Sequence, residues 1–196
     1  MCNILLEKNT NKRINLKIRN TIMEENQPKT GKFALTYGLI LGGVSVIFAF
    51  MLYTADMHYQ GGIPIMLISI ALMLAAVLFA MLQFKKANNG FMSFGQALKI
   101  GVGVCLVGGI IGIIFNQLMA NVIDPEMMTK AMEYQKGQLM ETTSLTPEQI
   151  DGQLEMQKKF TTPSMQIIFG LIFTIIIGFL VSLIPALVLK KQENLD

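Results

Sequence analysis

Few side chains in this sequence could do chemistry, and the polar turn at residues 54–62 holds two of them. Asp56 lies two residues before His58, the only histidine of the chain. A carboxylate and an imidazole so close together could bind a metal ion or sense protons. Zinc sites, however, usually take three or four protein ligands, and this turn offers two. The sequence therefore favours a solvated turn, with a metal or proton-sensing pair as the alternative.

Sulfur-containing side chains are the second chemical candidate, because thioether sulfur is a soft ligand for copper(I). Five methionines lie in the polar segment between the third and fourth apolar segments: Met127, Met128, Met132, Met140 and Met156. Methionine also fills gaps in packing and is abundant here, with 15 in the chain. Cys105 lies within an apolar segment that suppresses the reactive thiolate, so we interpret it as a small packing residue. We expect neither a metal nor a cofactor.

Composition argues against an enzyme and against a nucleic-acid-binding protein. No catalytic motif is present, and no charged residue lies within the long apolar segments. Only 15% of residues are charged and 52% are hydrophobic, whereas roughly a quarter of an ordinary soluble domain is charged. The net charge of +3 is small, and the basic residues lie beside apolar segments instead of forming a stripe. The sequence therefore predicts a non-catalytic membrane protein.

Four charge-free segments are long enough to cross a bilayer, which needs roughly 20 helical residues. They cover about residues 33–53, 63–84, 100–123 and 165–189. The predicted fold is an all-α membrane bundle of four transmembrane helices, residues 33–191, with an extramembrane helical hairpin at 124–161. Polar cytosolic tails are expected at residues 1–32, disordered, and at 192–196. Residues 1–22 are either a basic arm that lies on anionic lipid or the product of an overlong start assignment, with translation beginning at Met23.

The polar loop at residues 85–99 sets the predicted orientation. Cytosolic loops of membrane proteins are enriched in Lys and Arg. Besides Lys85, Lys86 and Lys99 in this loop, lysines occur near the other span ends expected on the same side, at Lys29, Lys32, Lys190 and Lys191. We therefore expect both termini in the cytosol and residues 121–164 outside.

The same loop carries a resemblance to a known family. A motif precedes a glycine-rich span and consists of Phe91, Ser93, Phe94, Gly95, Gln96 and Lys99; the triplet Ile123, Asp124 and Pro125 follows that span. From about Lys32 to Lys191, the chain resembles small bacterial four-helix membrane proteins classed only as a domain of unknown function. The resemblance implies a bacterial inner membrane and one four-span unit, and it brings no activity or ligand.

Small side chains recur at helical spacing in all four spans, with Ala71, Ala75, Ala76 and Ala80 in the second, and this pattern favours close helix packing in membranes. The predicted packing residues are Gly38 and Gly42 in the first span, Gly101, Cys105, Gly108, Gly109, Gly112 and Asn116 along one side of the third, and Gly170, Thr174, Gly178 and Ser182 in the fourth. Asn116 is also able to hydrogen-bond between helices. Since the third and fourth spans carry the least interrupted small faces, we predict that they form the tightest helix pair.

Helix-start signals define the hairpin between those two spans. Asp124 followed by Pro125 predicts an N-cap and a proline at the first helical position. Thr146, Pro147 and Gln149 predict a second helix that begins with a capping box.

These observations lead to two functional hypotheses. The first is a non-catalytic module that contacts the lipid bilayer and binds another membrane protein through the hairpin or the cytosolic loop. The alternative is a small transporter or channel that acts as a homo-oligomer. Ion-coupled transport usually needs an intramembrane acid or base, and the predicted spans contain none, which favours the first hypothesis.

Overall fold

The computed structural model describes residues 28–191 and the single residue Ile14. Its regular structure is helical, and within this part of the chain no strand forms. The helices are α1 (Thr30–Thr54), α2 (Ile63–Ala87), α3 (Phe94–Leu118), α4 (Met127–Thr142), α5 (Pro147–Lys159) and α6 (Pro163–Leu189). A π-helical turn, Met119–Ile123, prolongs α3. Most of the predicted N-terminal tail and all of residues 192–196 lie outside the described residues.

Four of these helices are long and apolar enough to cross a membrane, which indicates a membrane protein. They are α1, α2, α3 with its π-helical turn, and α6, at 25, 25, 30 and 27 residues. Each predicted span lies inside one of them. The third helix is longer than predicted because it begins at Phe94 instead of Ile100, so residues 94–99 of the expected loop are helical. At 16 and 13 residues, α4 and α5 are too short to belong to this set.

α3 is the central helix of the bundle and contacts α1, α2 and α6. Its most extensive contact is with α1, which runs parallel to it, so the prediction that the third and fourth spans form the tightest pair is wrong. The reason is reciprocal packing. Gly38 and Gly42 of α1 lie against side chains of α3, and Gly108 of α3 in turn lies against Leu41 of α1.

α6 packs antiparallel on another side of α3, where a small residue faces a small residue at three of four successive contacts. Gly101 lies against Ser182, Gly109 against Thr174, and Gly178 against Cys105, while Gly170 faces the larger Ile113. The predicted single stripe of α3 is therefore divided. Gly101, Cys105 and Gly109 face α6, Gly108 faces α1, and Gly112 and Asn116 border a cavity.

The bundle has two distinct ends. The loop end is where α2 ends and α3 begins, and the hairpin end is where α1 and α3 end and the α4–α5 hairpin starts. Buried side chains of α2 all lie in its loop-end half: Val77, Ala80, Met81 and Phe84. Its hairpin-end half has no buried side chain, and only Leu72 and Met73 of that half pack, partly buried, against the core. As a result, α2 leaves a cleft beside α1 and α3 toward the hairpin end.

Candidate functional site

The loop motif forms a latch at the loop end. Met92 exchanges two backbone hydrogen bonds with Lys191, at 2.8 and 2.9 Å. The ammonium of Lys191 also lies 5.4 Å from the centre of the Phe91 ring, and Lys85 donates a 2.9 Å hydrogen bond to the carbonyl of Leu189. The central loop is thereby fastened to the end of α6.

The remaining motif residues start α3. The Ser93 hydroxyl accepts a hydrogen bond from the Gln96 amide at 3.2 Å, and the Gln96 side chain accepts from the Ser93 amide at 2.9 Å. Phe94 is half-buried against the core, whereas Gly95 and Lys99 are exposed. Helix capping by Ser93 and Gln96 and core packing by Phe94 give this motif a structural role.

The hairpin at the other end is built around a second capping box. The Thr146 hydroxyl accepts from the Gln149 amide at 3.4 Å, the Gln149 side chain accepts from the Thr146 amide at 2.9 Å, and Pro147 occupies the first helical position. Ile150 and Leu154 are the buried residues of α5. Lys136 of α4 forms an ion pair with Asp151 of α5. These contacts hold the two short helices together.

The sequence predicted Asp124 as the N-cap of α4, but the N-cap is Glu126. That helix begins at Met127, three residues after Asp124, and Pro125 lies in the preceding turn instead of at the first helical position. The Asp124 carboxylate accepts a 3.2 Å hydrogen bond from the Glu126 amide. The carboxylate oxygens also accept hydrogen bonds from two other side chains, which hold Asp124 in place.

Those two side chains are His58 and Lys130. The Nε2 atom of His58 lies 2.9 Å from Asp124 Oδ2, and Lys130 Nζ lies 3.1 and 3.0 Å from the two carboxylate oxygens. The expectation of a solvated turn is wrong for His58, because only 5% of its side chain is exposed. We call these three residues the hairpin-end triad. It joins the α1–α2 turn, the end of α3 and α4.

Electrostatics favour the charged forms of Asp124 and Lys130. The hydrogen bond from Lys130 holds the pKa of Asp124 below its usual value, against an opposing effect of desolvation, and the His58 contact lowers it further. The same carboxylate raises the pKa of Lys130. An ionised carboxylate only accepts hydrogen bonds, so Nε2 of His58 must carry a proton. In the neutral ring, Nδ1 is then an acceptor.

Aromatic rings surround this histidine. Ring centres of Tyr53 and Tyr59 lie 5.1 and 5.2 Å from that of His58, both in edge-on geometry. Tyr134 of α4 extends the cluster, at 6.4 Å from Tyr59. Nδ1 of His58 is buried and has no hydrogen-bond partner among the residues that the structure describes. The rings hold the imidazole in position and leave one of its nitrogen atoms unused.

His58 also lines the cleft between α1, α2 and α3, a cavity of about 250 Å³. Three polar side chains of the spans share it, namely Ser45, Ser69 and Asn116. The other lining groups are apolar apart from the backbone of Gly112. This mixture of apolar walls and a few polar groups is typical of sites for small molecules.

A protein-family model described as "Protein of unknown function (DUF4199)" matches residues 36–191, from the first turns of α1 to the end of the described chain. The chain belongs to the DUF4199 family. No curated protein and no solved structure matches it. Membership in DUF4199 therefore agrees with the expected resemblance to a domain of unknown function and brings no activity with it.

In this DUF4199 chain the hairpin-end triad is the grouping that sequence reasoning missed. His58 and Asp124 are 66 positions apart, and no periodic pattern links them. Among the described residues, no three His, Cys, Asp or Glu side chains come together as a metal site would need. The available signal was that His58 and Asp124 each follow the end of a predicted span. The sequence did not specify that these two span ends meet.

Proposed function

We propose that the chain is a non-catalytic, multi-pass inner-membrane module that binds another protein of the same membrane through its α4–α5 hairpin. The observation that carries this proposal is a groove of about 550 Å³ between the two helices. Its walls combine apolar contact surface from Met128, Met132 and Leu154 with charged residues on both sides. An open groove of this kind can receive a peptide segment.

Charge in the groove indicates the kind of partner. Lys136 and Asp151 neutralise each other through their ion pair. Of the remaining charged lining residues, Glu133 and Glu155 face one cation, Lys158, so the groove keeps a negative balance. A basic segment with apolar side chains is the complementary ligand, and electrostatic complementarity of this kind favours specific association.

Partner binding is tested by copurification from native membranes in mild detergent. The wild type should recover a stoichiometric partner. The double variant Glu133→Gln, Glu155→Gln should bind that partner about tenfold more weakly and recover less of it, since each exposed charge contact contributes roughly 0.2–1 kcal/mol. The matched control removes two acids from exposed hairpin positions outside the groove, Glu141→Gln and Glu148→Gln. Equal recovery with both variants would contradict a role for the groove.

The proposed orientation places the loop end in the cytosol and the hairpin outside. It is supported by lysines at the loop end, where Lys85 meets the end of α6 and Lys191 meets the loop. In a chain without its native cysteines, single cysteines at the exposed positions Gln138 and Asn89 should react differently with an impermeant thiol reagent on intact spheroplasts. Labelling is expected at Gln138 only, and labelling at Asn89 alone would invert the orientation.

A small transporter or channel is the second candidate, and the cavity beside His58 favours it. Ser45, Ser69 and Asn116 place polar atoms along spanning helices on the cavity wall. A separate apolar groove of about 530 Å³ between α2 and α6 offers a surface on which a second copy would pack in an oligomer. Movement of a solute by the purified protein alone in liposomes would support transport over partner binding.

A further inference from the structure

We infer that the cavity between α1, α2 and α3 is a binding site for a small amphipathic molecule with one hydroxyl donor, of the size and chemistry of a substituted phenol. Its hydroxyl donates a hydrogen bond to Nδ1 of His58, and its ring lies against the apolar wall. This inference does not depend on the hairpin groove or on its partner.

The acceptor is the first reason. Nδ1 of His58 is buried and unpartnered within the described chain, and the side chain as a whole is 5% exposed. Asp124 fixes the ring through Nε2, so Nδ1 is not free to turn toward another group. A buried acceptor without a partner is destabilising, and a donor that enters the cavity recovers that loss. This arrangement selects a ligand with an O–H group over one that lacks it.

Size and wall chemistry are the second reason. The cavity volume is about 250 Å³, and a cavity of roughly 150 Å³ is enough to bind benzene in a protein core. Leu52, Leu72 and Phe115 supply apolar contacts, while Ser45 and Asn116 supply further polar ones. One water molecule would leave most of this volume unfilled. A single ring with a hydroxyl and a short substituent fills it and meets both kinds of wall.

Access is the third reason. The hairpin-end half of α2 contributes no buried side chain, and Ser69 on its cavity side is exposed, as is Asn116 of α3. The cleft therefore opens between two helices that are long and apolar enough to cross a membrane. A ligand that enters between them from the bilayer must itself dissolve in the membrane. Phenols with apolar rings do so, whereas charged metabolites do not.

Fluorine NMR on the purified full chain in detergent tests this inference with 4-fluorophenol and 4-fluorotoluene, in which a methyl group replaces the hydroxyl. The wild type should bind the phenol saturably and about tenfold tighter than the toluene, as expected for one buried hydrogen bond. Equal affinity for the two probes, or no saturable binding above that of empty micelles, would overturn the inference.

Two variants separate the site from nonspecific partitioning. Gly112→Leu fills the cavity, because a side chain at Gly112 meets nothing within 4 Å, and it should abolish saturable binding of both probes. His58→Phe keeps an aromatic ring at this position and leaves Asp124 paired with Lys130, but it removes the Nδ1 acceptor, so it should abolish only the preference for the phenol. Unchanged phenol binding in Gly112→Leu would place the probe elsewhere. Copurification of a hairpin partner should persist in Gly112→Leu, so the two proposals can fail separately.

Discussion

Replacement of Asp124 by asparagine is expected to lower thermal stability and to loosen α4 from the end of α3. Asparagine keeps the shape of aspartate but loses the charge and exchanges one acceptor oxygen for a donor group. Oδ1 of Asp124 accepts from Lys130 and from the Glu126 amide, and Oδ2 accepts from Lys130 and His58. Whichever position the amide nitrogen takes, two of these donors face another donor, and a buried donor left unsatisfied costs more than the bond itself contributed. Far-UV circular dichroism of the protein in mild detergent should show a lower unfolding midpoint.

Acid sensitivity should change with the same substitution. Because Lys130 and His58 lower the pKa of Asp124 in the folded protein, the native state binds this proton less readily than the unfolded chain. The stabilisation is complete above the unfolded pKa of about 4 and is lost as the pH falls through the folded pKa. Asp124→Asn should therefore show a smaller decrease of the unfolding midpoint between pH 6 and pH 3 than the wild type.

Asp151→Asn is the matched control for both measurements. Asp151 also pairs with a lysine of α4, but 53% of its side chain is exposed, against 9% for Asp124. Exposed ion pairs contribute little to stability. The control should have nearly the midpoint and the pH profile of the wild type. If both variants lost the same stability, the triad would be no more important than a surface pair.

Most of the architecture was predictable from the sequence because local signals decide it. Uninterrupted apolar length located the four long helices, and each predicted span lies within one of them. The hairpin helix α5 begins at Pro147, where the Thr146 and Gln149 pattern predicted a start. Such signals act over a few neighbouring residues, and no tertiary contact has to be known to use them.

Contacts between helices were less predictable, because they depend on which faces meet. The glycines of α3 lie on one broad side in the sequence, yet Gly108 packs on α1 while Gly109 packs on α6. Neighbouring residues on a helix are about 100° apart, so one broad small face can serve two partners. His58 shows the same limit more strongly, since its burial depends on Asp124, 66 residues away.

Replacement of Gly109 by leucine is expected to have the largest effect on the bundle. A Cβ atom at Gly109 would overlap the Thr174 side chain of α6, lying 2.8 Å from its hydroxyl oxygen and 3.1 Å from its Cβ. Since Thr174 Cβ is fixed to the backbone, α3 and α6 must separate to admit the new side chain. Overpacking of this kind costs typically about 1–3 kcal/mol. The unfolding midpoint in detergent should fall clearly.

Gly112→Leu is the matched control for this prediction, one turn further along α3. A Cβ atom at Gly112 meets open space. The substitution therefore changes helix propensity and side-chain volume by the same amount as Gly109→Leu, without forcing the helices apart. Its midpoint should match or exceed that of the wild type, since leucine is the better helix former. Thr174→Ala should restore part of the stability lost in Gly109→Leu, because it removes the two atoms nearest to the added Cβ. A loss that Thr174→Ala does not reduce, or an equal loss in Gly112→Leu, would mean that something other than the α3–α6 contact is responsible.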